Sequence, residues 1–100
     1  MREPILKKPK QKVLDRDAAV TIGLQALGFL AANDDRIAKF LGLTGIAPSD
    51  LIAGAQTPPM LIAVLEHLAQ DESLLLVFAS EAGIAPEQIA QAIGRLESAS

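Results

Sequence analysis

Aliphatic residues recur along most of the chain at the three- and four-residue spacing of a helix face, and turn residues interrupt them at intervals. This pattern is typical of short amphipathic helices. It predicts an all-α fold, a compact bundle of five or six short helices. The predicted segments are about 18–32, 35–43, 48–55, 59–70, 72–82 and 86–96.

The residues between these segments are types that favour helix ends. Asp17 and Asp71 are predicted N-caps, because a carboxylate can accept hydrogen bonds from the free N–H groups of a first turn. Gly45 and Gly83 are predicted to end the second and fifth helices, since glycine adopts the left-handed conformation at low cost. Prolines are expected in the first turns of three other helices, where a missing N–H is tolerated: Pro48, Pro58 and Pro86.

Two of the predicted helices are apolar around most of their circumference. The first carries Val20, Leu24 and Phe29 on different sides, so we expect it to be central or covered by a partner. The fifth contains an unbroken apolar run, 74–78, which taken alone also fits a buried strand. The caps on either side favour a helix, and we expect this helix to be the buried centre of the fold.

The second half of the chain repeats features of the first at an offset of 38 residues. Segments 45–48 and 83–86 both read Gly-Ile-Ala-Pro. Common turn chemistry does not explain why apolar positions also match, so we predict two related three-helix units, at about 18–56 and 57–96. Two units are too few for a solenoid, and we expect a closed pair. The matching apolar positions are Leu27 and Leu65, Leu30 and Leu68, Ala31 and Ala69, and Phe40 and Phe78.

The composition disfavours several kinds of site. The chain has no cysteine and a single histidine, His67, so we expect no disulfide, thiolate ligand or structural zinc. No apolar run approaches the roughly 18 to 20 residues that span a bilayer, and no signal-peptide pattern follows the N-terminus. We therefore expect a cytoplasmic protein. The lack of cysteine also fits a reducing compartment.

Basic residues are concentrated at the N-terminus of an otherwise acidic chain. Residues 1–12 carry five basic and one acidic side chain, whereas the remainder carries four and eleven. The pattern predicts a basic, disordered tail over 1–15 and a helical domain over 16–98. Such a tail can bind anions or nucleic acid without specificity, although no aromatic residue accompanies it to stack on bases. The candidate binding residues are Lys7, Lys8, Lys10 and Lys12.

No group of reactive side chains with a catalytic spacing is evident. Glu66 and His67 are sequence neighbours on a predicted helix, so their side chains do not face each other. His67 aligns with Phe29 at the repeat offset, which predicts a partly buried packing position. Acidic pairs at 34–35 and 71–72 lack the spacing of a calcium loop and are explained by capping. We predict no catalytic, cofactor-binding or metal-binding residue, and no enzymatic activity.

Three segments of the chain resemble a small bacterial family of about this length. The segments are Thr21–Ala31, Arg36–Gly45 and Leu74–Gly83, and the resemblance covers roughly residues 18–96. It is a domain-of-unknown-function family. The resemblance implies an all-helical fold and supplies no activity, cofactor or site residue.

Surplus apolar surface favours a function in protein binding. A chain of this length has little interior in which to bury two helices that are apolar all round, and an exposed apolar patch marks a partner site. We predict a non-enzymatic interaction module that binds an unidentified protein or a second copy of itself. The alternative is a nucleic-acid-associated protein that uses the Lys-rich tail.

Overall fold

Six α-helices form the regular structure of residues 14–99, which are the residues described by the computed structural model. The expected all-α class is confirmed, and this part of the chain contains no strand. The helices are α1 (Arg16–Ala31), α2 (Asp34–Thr44), α3 (Pro48–Ala53), α4 (Pro58–Ala69), α5 (Glu72–Ala82) and α6 (Glu87–Ala99).

The core lies where α1, α4 and α6 pack against one another. Aliphatic side chains from all three helices fill it, and α1 and α4 pack directly on each other as well as on α6. α2 packs on α1, and α5 packs mainly on α4 with a smaller contact to α1. The short α3 contributes one side chain to the core, Leu51.

The expectation that the fifth helix is the buried centre is wrong. In α5 only Phe78 and Ala79 are buried, while Leu76 is 48% exposed and Val77 is 40% exposed. The third helix of the core is α6, which packs on both α1 and α4 and continues to Ala99, beyond the predicted end at about residue 96. The α6 side chains in the core are Ile89, Ala92 and Leu96.

The start of α1 differs from the prediction by two residues. The helix begins at Arg16, and Asp15 is its N-cap: the Asp15 carboxylate accepts a hydrogen bond from the Ala18 N–H at 2.8 Å. Asp17 therefore lies inside the first turn and does not cap it. A carboxylate there still interacts favourably with the positive end of the helix dipole. Leu14, just before the cap, is partly buried against the core.

The ends of α2 and α5 have matching geometry at the offset of 38 residues. Their N-caps, Asn33 and Asp71, have φ of −133° and −129°, and each side chain accepts a first-turn N–H. Their C-caps, Gly45 and Gly83, have φ of +74° and +71°, as predicted from the preference of glycine for this conformation. Both helices therefore begin and end at equivalent positions. Whether the complete halves superimpose stays a prediction.

α1 and α4 approach closely at a single glycine. A Cβ atom built on Gly23 would lie 3.0 Å from the Leu61 Cβ and 3.2 Å from one of its Cδ atoms. Leu61 is fully buried, and its Cβ cannot be displaced by changing rotamer. The absence of a side chain at Gly23 therefore sets the distance between the two helices. Gly28, five residues later on the same helix, is exposed, and a Cβ there would meet no atom of the described residues within 4 Å.

Gly23→Ala is expected to lower the free energy of unfolding by about 1 to 2 kcal/mol, because overpacking outweighs the gain in helix propensity. Gly28→Ala is the matched control. It should raise the free energy of unfolding of the single chain, measured in dilute protein, by about 0.5 to 1 kcal/mol, since only helix propensity changes. Urea unfolding of both variants measures the difference. Equal effects at the two positions would show that α1 and α4 do not meet at Gly23.

Candidate interaction surface

The four lysines predicted as an anion-binding tail lie outside the residues that the structure describes. The described chain begins at Leu14, whose carbonyl oxygen accepts a hydrogen bond from Arg95 Nε at 3.1 Å. The role of the tail therefore stays a prediction. The residues concerned are Lys7, Lys8, Lys10 and Lys12.

His67 lies in the last turn of α4 and is partly buried, which agrees with the predicted packing role. Its ring packs edge-on against the Phe40 ring, with 5.2 Å between centroids. Burial lowers the pKa of His67 below the ordinary imidazole value. The positive charge of Lys39 lowers this pKa further, and the negative charge of Asp71 opposes the change.

An open groove of about 360 Å³ lies between α2 and the α4–α5 corner beside His67. Asp71 is one of its carboxylates, and this group already accepts the Leu74 N–H as the cap of α5. Across residues 14–99, no three His, Asp or Glu side chains are grouped so that they could hold a metal ion. The groove is lined by Lys39, Leu43, His67, Gln70, Asp71, Glu72 and Ser73.

A second open groove, of about 280 Å³, lies between α1 and α5. Phe29 and Phe78 line it with their ring centroids 5.4 Å apart, and Gln25, Glu81 and Ala82 complete the lining. This groove is less polar than the first, since Glu81 is the only charged residue among the described residues that line it.

A cation lies beside this second groove. The Arg36 guanidinium carbon is 4.2 Å from the centroid of the Phe29 ring, within the range of a cation–π interaction. No feature of the sequence predicted this contact. Phe29 and Arg36 lie on different helices, and only the angle of the corner between α1 and α2 brings them together.

The two ring contacts are equivalent at the offset of 38 residues. Phe29 and His67 are one pair of matching positions, and Phe40 and Phe78 are another. Phe29 contacts Phe78 across α1 and α5, while His67 contacts Phe40 across α4 and α2. Shifting both residues of the Phe29–Phe78 contact by 38 positions, in opposite directions along the chain, thus gives the His67–Phe40 contact.

Exposed apolar and small residues lie on the two helices beside the second groove. Leu24 on α1 is 38% exposed, and Val77 on α5 is 40% exposed. Gly28 and Glu81 are also exposed. We call these four residues, Leu24, Gly28, Val77 and Glu81, the α1/α5 face. The sequence predicted surplus apolar surface on these two helices. It did not predict that Val77 is exposed, because the fifth helix was expected to be buried.

Comparison with known proteins identifies a family. The model of DUF3572, described as a protein of unknown function, matches residues 16–99. The chain belongs to the DUF3572 family. The resemblance noted in the sequence, to a small family of unknown function, is therefore confirmed. No curated protein and no solved structure matches the chain.

The DUF3572 match begins at the first residue of α1 and ends at the last residue of α6. It therefore covers all six helices, both grooves and the α1/α5 face. None of these helices combines the length and the apolar character needed to span a bilayer, within the part of the chain that the structure describes.

The lowered pKa of His67 predicts how stability depends on pH. The unfolded chain, with a His pKa of about 6.5, binds the proton more readily than the folded chain. The stability due to neutral His67 is therefore complete above that pH and is lost as pH falls through the folded-state pKa.

His67→Gln removes this titration, so the drop in urea midpoint between pH 8 and pH 5 should be smaller in the variant than in the unchanged chain. Comparing the two proteins removes the pH dependence that they share. An identical drop in urea midpoint in the two proteins would show that folding does not change the pKa of His67.

Proposed function

We propose that this chain is a non-enzymatic interaction module that binds a protein partner through the α1/α5 face. The observation that carries the proposal is the exposed apolar surface of α5 beside the groove lined by Phe29 and Phe78. Large exposed apolar side chains that adjoin a groove mark partner sites more often than isolated ones do.

We also propose that the chain contains two related units, at about 18–56 and 57–96. Three observations support this: α2 and α5 begin and end at matching positions, their glycine C-caps have nearly equal φ, and the two ring contacts are equivalent. The third helices differ, since α3 has six residues and α6 has thirteen. A pair of units would therefore be asymmetric at this position.

The proposed repeat supplies an internal comparison for the α1/α5 face. Val77 on α5 matches Lys39 on α2, and Gly28 on α1 matches Glu66 on α4. All four positions are exposed. Because α2 and α4 carry charged side chains at these positions, packing of the helices does not require apolar or small residues there. The residues Val77 and Gly28 are thus better explained by an external contact than by the core.

The proposal that the chain is not an enzyme is supported by the roles of its ionisable groups. His67 packs against Phe40, and Asp71 caps α5. Among the residues that the structure describes, Glu81 is the one ionisable residue that lines the apolar groove. An acid–base mechanism needs a second group within hydrogen-bond reach of the first or of the substrate.

Affinity capture of the tagged full chain from its own cells tests the function. Val77→Lys introduces the residue found at the matching position of α2, so it should leave the fold intact. We expect it to reduce recovery of the bound protein about tenfold or more, because a lysine ammonium is costly to bury in an interface. Ile52→Lys is the matched control, since Ile52 is 78% exposed on α3, outside the face.

Capture at low and high salt separates this function from the alternative. A protein that stays bound at high salt and is lost with Val77→Lys supports the proposal. Nucleic acid that is released by salt, and is lost on deletion of residues 1–12, would support the nucleic-acid function instead. A bound protein that is insensitive to Val77→Lys would contradict a role for the α1/α5 face.

A further inference from the structure

We infer that the partner of the α1/α5 face is a second copy of this chain, docked about a two-fold axis that brings the two α1 helices together at Gly28. The inference rests on the proposed function and names the partner for the same surface. Two features support it: an open glycine on the face, and a pair of opposite charges beside the adjoining groove.

Gly28 provides the point at which the α1 helices of the two copies approach each other most closely. A glycine inside a helix costs about 1 kcal/mol relative to alanine, and beyond the adjoining residues of α1 no atom of residues 14–99 lies within 4 Å of the position that a Cβ on Gly28 would take. α1 already packs closely against another helix at a glycine, since Gly23 lets Leu61 of α4 contact the α1 backbone. A second α1 crossing at Gly28 would cover Leu24, which lies one helical turn away and is partly exposed in the single chain.

The charges beside the face on one copy are complementary to those on a second copy. Arg36 lies against Phe29 on the α1 side of the groove, and Glu81 lies on α5. In a two-fold interface the same patch meets itself, so a positive group at one point must face a negative group at another. A second copy provides both charges, and the two-fold axis forms two equivalent pairs between Arg36 and Glu81.

Sedimentation velocity of the purified full chain over a concentration series tests the inference. We expect a monomer–dimer equilibrium. Gly28→Gln places a neutral side chain of the size of Glu66 in open space, so it should stabilise the single chain and raise the dimer Kd about tenfold or more. Val77→Lys should have a comparable effect. Ile52→Ala, outside the face, should leave the Kd unchanged, and circular dichroism checks that each variant folds.

A charge reversal tests the pairing of Arg36 with Glu81. Glu81→Arg should raise the dimer Kd about tenfold at low salt, because each axis-related pair becomes repulsive. Combining it with Arg36→Glu should restore most of the affinity, since each pair is again of opposite sign. Failure of the double variant to recover would overturn the proposed docking geometry.

A chain that stays monomeric at every concentration, or a dimer unaffected by Gly28→Gln and Val77→Lys, would overturn the inference. These outcomes are distinct from failure of the proposed function. If the chain is monomeric but Val77→Lys still abolishes capture of a different protein from cells, the function stands and the partner is not a second copy. If Val77→Lys changes neither the dimer Kd nor the capture of a protein, both the inference and the proposed function are contradicted.

Discussion

The close contact between α1 and α4 at Gly23 is the constraint on which the other helix positions depend. With no side chain at this point, Leu61 packs against the α1 backbone, and the two helices form a pair on which α6 packs. α1, α4 and α6 together then fill the core. α2 and α5 are left on the outside of this group, where each buries only part of its surface.

This arrangement explains how a strongly apolar helix can lie at the periphery. α5 buries Phe78 and Ala79 and leaves Leu76 and Val77 accessible. α2 packs on α1 and, at the offset of 38 residues, has exposed Ala38 and Lys39 where α5 has Leu76 and Val77. The apolar character of α5 is thus in excess of what its packing within residues 14–99 requires. That excess is the physical basis for proposing a partner.

Local features of the fold could be predicted from the sequence, whereas the helix arrangement could not. Asp71, Gly45 and Gly83 act through neighbouring backbone groups, so the bounds of α5 and the ends of both glycine-capped helices follow from a few adjacent residues. Which helix is central depends on distances between helices, and apolar content alone misidentified it. The contact of Arg36 with Phe29 likewise depends on a corner angle that the hydrophobic pattern does not encode.

The central claim is that Val77 is accessible in the single chain and becomes covered by a partner copy. Methyl NMR with a soluble paramagnetic agent measures this directly, and Val64, which is fully buried, is the internal reference. The account predicts strong broadening of the Val77 methyl signals in dilute protein and progressive protection as concentration rises, with Val64 protected throughout. Protection of Val77 at every dilution, or equal broadening at every concentration, would contradict it.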